Sequence, residues 1–250
     1  MTAKADNIQA DGTYPATGAS LTVNSRGLWG GLLVLGKAPS SFKGDVSELQ
    51  IEGIPVSDTN GLYGGSVSDD NSGTMQYISI RHGGAEIGEG NEINGLTLGG
   101  VGSGTVIDHI EVIANVDDGI EFFGGTVNAS YLLVWGQGDD ALDIDQAYSG
   151  TIDDAYVILE DASDHGMEID GPEGSAAGSF TVKNVTIDGA SKSGKALGVD
   201  GEIADFRKAA TGSLSNIYAF DFVASKAVSY THLRAHETSL HLVCRRLLEK

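Results

Sequence analysis

One short phrase returns at intervals of 22 to 30 residues through the middle of the chain. It reads NGLTLGG at 94–100, DGIEFFGG at 118–125, DALDIDQ at 140–146, HGMEIDG at 165–171 and, more weakly, KALGVDG at 195–201. A second phrase fills the intervals, as in GTMQYISI from Gly73, GTVIDHIEV from Gly104 and GTIDDAYVI from Gly150. Such recurrence is typical of a repeat protein, whose units bury their apolar sides only by stacking on one another.

Within each phrase apolar and polar residues alternate, which indicates strands with one buried face. The 36 glycines and 4 prolines of the chain suit short strands joined by tight turns. A propeller needs a period of about 40 residues or more, and a β-sandwich does not predict phrases that recur in register. We therefore predict an all-β fold, a right-handed single-stranded parallel β-helix formed by residues 21–227.

Alignment of the phrases predicts which side chains lie above one another in successive coils. Two apolar columns face the interior, namely Ile120, Leu142 and Met167, and Phe122, Ile144 and Ile169. An acidic column alternates with them and points outward, formed by Glu121, Asp143 and Glu168. A second acidic column stands where each strand ends, formed by Asp145, Asp170 and Asp200. Equivalent residues of adjacent coils are about 4.8 Å apart in a parallel sheet, so like charges come close together.

The stacked carboxylates need some form of neutralisation, because neighbours about 5 Å apart repel by roughly 1–3 kcal/mol. Salt screening, raised pKa values and calcium between the coils are the three alternatives that the sequence leaves open. Calcium takes oxygen ligands from several carboxylates. Its candidate ligands are Glu121, Asp143, Asp145, Glu168 and Asp170. No motif in the chain requires a cofactor.

The overall charge restricts the partners of this chain. There are 35 acidic residues against 15 basic ones, a net charge of -20, which argues against nucleic acid or an anionic membrane as a partner. No apolar run approaches the ~20 residues of a membrane-spanning helix. We expect a monomer without a transmembrane segment.

Paired carboxylates also raise the alternative of a polysaccharide hydrolase. An inverting glycosidase places two carboxyl groups about 6.5–9.5 Å apart, which the outward side of a β-helix can supply. The weak candidates are Asp139, Asp140, Asp164 and His165, and since similar pairs occur in nearly every coil, no catalytic residue is assigned. A lyase acting on uronic acids is disfavoured, because residues 82–182 contain 20 acidic residues and no Lys or Arg.

Five longer segments occur in a fixed order along the chain. They are RGLWGGLLVLGKAP (26–39), IEGIP (51–55), DNSGTMQYISIRHGG (70–84), EINGLTLGGVGSGTVIDHIEV (92–112) and DDGIEFFGGTVNASYLLVWGQGDDALDIDQAYSG (117–150). Together they resemble a family of exported bacterial proteins, many described as lipoproteins, with a pectin-lyase-like β-helix. The resemblance implies that fold and a cell-surface, outer-membrane-associated or periplasmic location. It implies no catalytic residues.

The two ends of the chain differ from its body. The resemblance implies an export signal upstream, so we expect residues 1–20 to be part of a truncated N-terminal segment. Residues 228–250 resemble a translated sequencing adapter, and we expect them to be a non-native tail. That segment holds His232, His236, His241 and Cys244, whose spacing suits zinc, but its origin removes the zinc hypothesis.

The expected function is therefore that of a non-enzymatic binding or structural module. We expect it to be exported, to contact polysaccharide or cell-surface glycans, and to use calcium, if any ion, for rigidity. Polysaccharide hydrolysis is the alternative.

Overall fold

The structure is a computed structural model that describes residues 1–3, 21–87, 91–189 and 202–222, together with the backbone of two strands at 228–230 and 242–244. The strands are β1 (Leu32–Leu35), β2 (Leu49–Gln50), β3 (Leu62–Tyr63), β4 (Thr74–Arg81), β5 (Leu96–Gly99), β6 (Val106–Ile113), β7 (Ile120–Phe123), β8 (Asn128–Trp135), β9 (Leu142–Asp145), β10 (Thr151–Ile158), β11 (Met167–Ile169), β12 (Phe180–Asp188), β13 (Ala204–Phe206), β14 (Gly212–Phe220), β15 (Val228–Tyr230) and β16 (Leu242–Cys244). One short 3-10 helix, Thr59–Gly61, is the helical element among these residues.

Two parallel sheets run along the molecule. Sheet 1 has the order β1-β5-β7-β9-β11-β13-β15, and sheet 2 has the order β4-β6-β8-β10-β12-β14-β16. Each coil therefore contributes one short strand to sheet 1 and one long strand to sheet 2, and equivalent strands of successive coils pair in parallel. This arrangement confirms the predicted parallel β-helix.

The predicted apolar columns lie inside the coil. Leu142 pairs in register with Ile120 on one side and with Met167 on the other, and their exposed fractions are 0%, 0% and 1%. The second column, Phe122, Ile144 and Ile169, is equally buried. Both columns belong to one continuous core that runs between the two sheets.

The glycine of the recurring phrase allows β5, β7 and β11 to start close to their neighbours. A Cβ on Gly119 would lie 2.3 Å from Val134 Cγ1 and 2.7 Å from the carbonyl oxygen of Ala141. Gly95 is in the same position one coil earlier, against Val112 and Gly119. A side chain at Gly95 or Gly119 would therefore collide with the neighbouring strands, whereas the equivalent position one coil later holds Ala141.

The strict alternation predicted for the long strands is wrong at one position in each strand. Six residues in the middle of β4, β6, β8, β10, β12 and β14 have φ between 53° and 57°, in the left-handed region: Tyr77, His109, Tyr131, Asp154, Asn184 and Asn216. The pairing ladder skips all six, so two successive side chains point outward before the inward pattern resumes. Each of these strands therefore bends at its left-handed residue.

The bend residues stack on the outside of sheet 2. The ring of His109 lies between those of Tyr77 and Tyr131, with centroid separations of 4.5 and 4.6 Å. Further along, Asn216 Nδ2 donates to Asn184 Oδ1 at 2.6 Å. Asn, Asp and His visit the left-handed region more readily than most residues, so the chain places suitable side chains at four of the six bends.

A segment that belongs to no repeat covers part of the outer side of sheet 1. Residues 36–66 leave the first coil and carry the antiparallel pair β2–β3. Tyr63 donates from its hydroxyl to Gln146 Oε1 at 2.8 Å, and the Ser41 amide donates to the Gln146 carbonyl at 2.9 Å. Phe42 and Ile51 of the segment pack with Tyr63 against Phe123 of β7. This covering segment therefore shields part of the outer side of sheet 1 from solvent, which the repeat alone does not predict.

Several sequence predictions fall near the C-terminal end. The strand that pairs with β11 is β13. The weak phrase at 195–201, including Asp200, lies outside the described residues. Strands β15 and β16 extend both sheets into residues 228–250. Strand pairing does not depend on the origin of these residues, so the adapter-derived tail stays a prediction. Within the described ranges, no helix is long and apolar enough to cross a membrane.

Candidate functional site

Three columns of side chains line the outer side of sheet 1, and we call them together the acidic face. The first precedes the strands and contains Asn94, Asp118, Asp140, His165 and Glu202. The second lies in the middle of the strands and contains Thr97, Glu121, Asp143, Glu168 and Asp205. The third lies at or just after the strand ends and contains Gly99, Phe123, Asp145, Asp170 and Arg207. Parallel pairing thus gathers carboxylates that are far apart in sequence.

The register of the acidic column Glu121, Asp143 and Glu168 is as predicted, but its expected exposure to solvent is wrong. Glu121 and Asp143 are only 6% and 9% exposed, and Glu168 is half-buried. Asp118 and Asp140 of the first column are buried as well. Parallel pairing places Glu121 directly beside Asp143, so acidic side chains of adjacent coils lie together in a buried layer.

A cleft of about 510 Å³ opens on the acidic face. Ten residues line it: Asp118, Asp139, Asp140, Asp143, Asp164, His165, Glu168, Glu202, Asp205 and Arg207. The structure therefore brings together the four residues that the sequence proposed for hydrolysis and two of the five proposed for calcium. Eight of the ten side chains are carboxylates, so the cleft concentrates negative charge.

Asp140 and His165 form a buried pair in the wall of the cleft. Asp140 Oδ1 lies 2.7 Å from His165 Nδ1 and accepts from the His165 backbone amide, also at 2.7 Å. Burial alone lowers the pKa of His165, but the hydrogen bond and charge of Asp140 outweigh it and raise that pKa to about 9. His165 is therefore an imidazolium at neutral pH, held in one orientation by Asp140.

Asp139 and Asp164 stand beside this pair. One oxygen each from Asp139, Asp140 and Asp164 lies within 4.8 Å of the others. Partial burial, followed by the charges of Asp140 and Asp164, raises the pKa of Asp139 to about 6. Partial burial and the charge of Asp139 likewise raise the pKa of Asp117 to about 7. The carboxyl groups of Asp117 and Asp139, at the edge of the cleft, therefore titrate near neutral pH.

A second group lies deeper, where Asp118, Glu121 and Asp143 each offer an oxygen within 4.8 Å of the other two. Burial, and then mutual repulsion, raises the pKa of all three carboxyl groups well above the usual value. Asn94 donates from Nδ2 to Glu121 Oε2 and to Thr97 Oγ1. Asp143 Oδ1 and Asn94 Oδ1 are buried and have no hydrogen-bond partner among the described residues.

The remaining calcium candidates do not join that group. Asp170 is paired with cations instead, since Arg207 Nε lies 2.7 Å from Asp170 Oδ1 and Lys208 Nζ lies 2.7 Å from Asp170 Oδ2. Glu168 contacts Arg207 and faces His165. Asp145 Oδ1 accepts from the Gln146 amide at 2.6 Å. The five predicted calcium ligands thus fall into two groups. Glu121 and Asp143 have no Lys or Arg beside them among the described ion pairs, whereas Asp145, Glu168 and Asp170 contact a cation or a backbone amide of the chain.

A family model described as a pectate-lyase like beta helix domain matches residues 2–243. The chain belongs to this family. No curated protein and no solved structure matches the chain.

Membership of the pectate-lyase-like family establishes the fold and leaves the chemistry to the site, since one fold hosts many activities. A lyase that acts on uronates needs a cation for the substrate carboxylate. Arg207 is the one Lys or Arg side chain that lines this cleft in the described part of the chain, and it is engaged by Glu168 and Asp170.

Sequence reasoning did not propose Asn94, Glu202, Asp205 or Arg207 of the acidic face as site residues. Asn94 could have been found, because it occupies the position of Asp118 and Asp140 in the aligned phrases. The other three lie on or beside β13, whose sequence does not contain the recurring phrase. The proposed zinc ligands His232, His236 and His241 lie outside the described residues, as does the side chain of Cys244.

Proposed function

We propose that this domain is a non-enzymatic module of an exported protein and that it binds a glycan in the cleft of the acidic face. The cleft volume of about 510 Å³ supports this, since small-molecule sites occupy roughly 300–1,000 Å³. The lining offers hydrogen-bond acceptors for sugar hydroxyls. Three of its ten residues lie on paired strands, and the other seven lie within three residues of one. Export rests on the family resemblance of the sequence segments, and an antibody against the domain should stain intact host cells.

The charge of the cleft restricts the glycan. Its eight carboxylates face one His and one Arg, and both of these are already paired with carboxylates. A polyuronate would bring further negative charge and be repelled. A neutral glycan could donate hydroxyls to the carboxylates, and an amine-bearing glycan would add charge-assisted hydrogen bonds. We therefore expect neutral or amine-bearing sugars to bind and acidic sugars to be excluded.

Three oligosaccharides of equal length test this proposal by isothermal titration calorimetry with the full chain. Oligomers of glucosamine and N-acetylglucosamine should bind, and oligomers of galacturonic acid should not. Asp205→Asn should weaken binding about 10-fold or more, because a hydrogen bond to a charged group contributes ~1.5–3 kcal/mol. Asp154→Asn on sheet 2 is the matched control and should change nothing. Absence of binding by all three sugars, and by a wider neutral panel, would refute the proposal.

Polysaccharide hydrolysis is a second candidate, favoured by the pKa of about 6 at Asp139 beside the Asp140–His165 pair. Asp139 would be the general acid, Asp164 the nucleophile, and Asp140 with His165 would position them. The short separation of the three carboxylates is nearer the ~5–5.5 Å of retaining enzymes than the ~6.5–9.5 Å of inverting ones. If the domain hydrolyses glycans, we therefore expect retention at the anomeric carbon.

Reducing-sugar release from neutral polysaccharides tests this second candidate. Activity should decline above about pH 6, because the general acid must be protonated and the pKa of Asp139 is about 6. Asp139→Asn should abolish release while leaving glycan binding in place. Release that persists in Asp139→Asn, or its absence across the panel, would remove the hydrolase.

A further inference from the structure

We propose that the free edge of β1 binds an extended segment of a partner protein as an additional parallel strand of sheet 1. The segment has apolar residues at alternate positions and no acidic ones. β1 is the first strand in the order of sheet 1 and pairs on one side, with β5. No residue of β1 lines the cleft of the acidic face, so the proposal does not rest on glycan binding.

The first support is a set of backbone groups that point away from β5. The Leu32 amide donates to the Gly95 carbonyl at 3.0 Å, so the backbone groups of Leu32 face β5. Alternate residues direct their backbone groups to opposite sides, and those of Leu33 and Leu35 therefore face the free edge. Neither of these two has a backbone hydrogen-bond partner among the described residues. Open amides and carbonyls on an edge strand are a template for a further strand.

The second support is the incomplete cover of the apolar core at this edge. Leu32 and Val34 of β1 pack on the core and are half-buried. Leu96 and Leu98, which pair with them in register from β5, are 0% exposed. The difference arises because β5 has a paired strand on both sides and β1 on one. Apolar side chains on the inward face of an added strand would complete the burial of Leu32 and Val34.

The third support is a cavity of about 410 Å³ on the outer side of β1. It is lined by Leu33, Leu35, Ile54, Asp58, Asn60 and Gly61. Outward side chains of an added strand would lie beside Leu33 and Leu35, so one apolar side chain has a place in this cavity. Asp58 is the one charged residue of the lining, and with the net charge of -20 it disfavours an acidic segment.

Sheet 2 shows that this end of the coil accepts a parallel strand. The Met1 carbonyl accepts from the Arg81 amide at 2.9 Å, and the Met1 amino group donates to the Ser79 carbonyl. Met1 thus bridges two alternate residues of β4, which is the pattern of a parallel ladder, at the outer edge of sheet 2. Addition of a strand to β1 would repeat this pairing in sheet 1, where every described pair of strands is parallel.

A fluorescent peptide with the sequence NGLTLGG of residues 94–100 is the probe, because β5 already pairs with β1 through that sequence. Its two leucines would point inward and donate their backbone amides to β1, and its threonine would lie at the cavity. Fluorescence anisotropy with the full chain should show saturable binding, which Thr97→Leu in the peptide should tighten. Methylation of the backbone nitrogens of both leucines removes the donors and should weaken binding about 10-fold or more.

One variant of the protein and a matched control locate the binding edge. Leu33→Lys should weaken binding about 10-fold or more, because it places a charge at the edge and in the apolar cavity. Leu133→Lys should leave binding unchanged, since Leu133 is also half-buried and outward but lies on sheet 2.

Three results would overturn the proposal. The first is the absence of binding by both unmethylated peptides. The second is equal binding of the methylated peptide, which would show adhesion of apolar side chains without strand pairing. The third is a dimer of the wild-type chain in analytical ultracentrifugation that Leu33→Lys dissociates, because a second copy of the chain would then occupy the edge.

Discussion

Leu142→Ala tests the stacking of the coils through its effect on stability. Leu142 is 0% exposed and lies in register between Ile120 and Met167. Truncation removes three buried carbons, which at ~0.8 kcal/mol each amounts to about 2.4 kcal/mol. Hydrogen bonds fix the spacing of the paired strands, so the column cannot close over the gap, and the cavity adds ~1–2 kcal/mol. We expect a total loss of about 4 kcal/mol in the free energy of unfolding.

Urea unfolding followed by circular dichroism measures this loss as a shift of the midpoint at constant slope. Leu133→Ala is the matched control, because Leu133 lies in the same coil, is half-buried and points outward from β8. We expect the control to lose about 1 kcal/mol or less, in line with a partly exposed side chain. Equal losses at the two positions, or a loss below ~1 kcal/mol for Leu142→Ala, would refute the inward column.

Three further predictions concern charge and backbone. In EDTA, the free energy of unfolding measured by urea titration should decrease as the pH is raised from 5 to 8. An increase would contradict the burial of these carboxyl groups. The raised pKa values of Asp117 (about 7) and Asp139 (about 6) give a stabilisation that is complete below about pH 4 and lost as the pH passes through 6 to 7. His109→Val should lower Tm more than His109→Asn does, because both lose the stacking on Tyr77 and Tyr131 but φ of 53° further disfavours a β-branched residue; equal Tm values would exclude this explanation. Arg207→Met should destabilise by roughly 1–3 kcal/mol at pH 8, measured in urea, because Asp170 loses one of two cations; no change would show that Lys208 suffices.

The interior of the fold could be predicted from the sequence because the repeat fixes it. Once the phrases are aligned, the positions of Ile120, Leu142 and Met167 follow from parallel pairing alone. The bends of sheet 2 were not predicted, because Tyr77 and Tyr131 look like ordinary outward residues in an alternating pattern. Only the backbone shows that these positions lie in the left-handed region.

The sequence predicted the register of the acidic face but not the burial of its side chains. Alignment placed Glu121 beside Asp143, and that pairing is confirmed. Their burial was not predictable from the repeat, because segment 36–66 has no counterpart in other coils and packs beside them through Phe123 and Gln146. The pairing of Asp170 with Arg207 was not predictable, because it depends on β13, and the recurring phrase does not occur in that strand.

Carboxyl footprinting of the native chain tests most directly whether parallel stacking buries a layer of acidic side chains. Carbodiimide-activated labelling, read by mass spectrometry, reports the accessibility of each carboxylate without any substitution. Asp118, Glu121 and Asp143 should stay unlabelled in the native chain and become labelled in urea, whereas the exposed Glu48, Asp58 and Asp69 should label in both. Native labelling of Glu121 and Asp143 at the rate of the exposed residues would contradict the buried acidic layer on sheet 1.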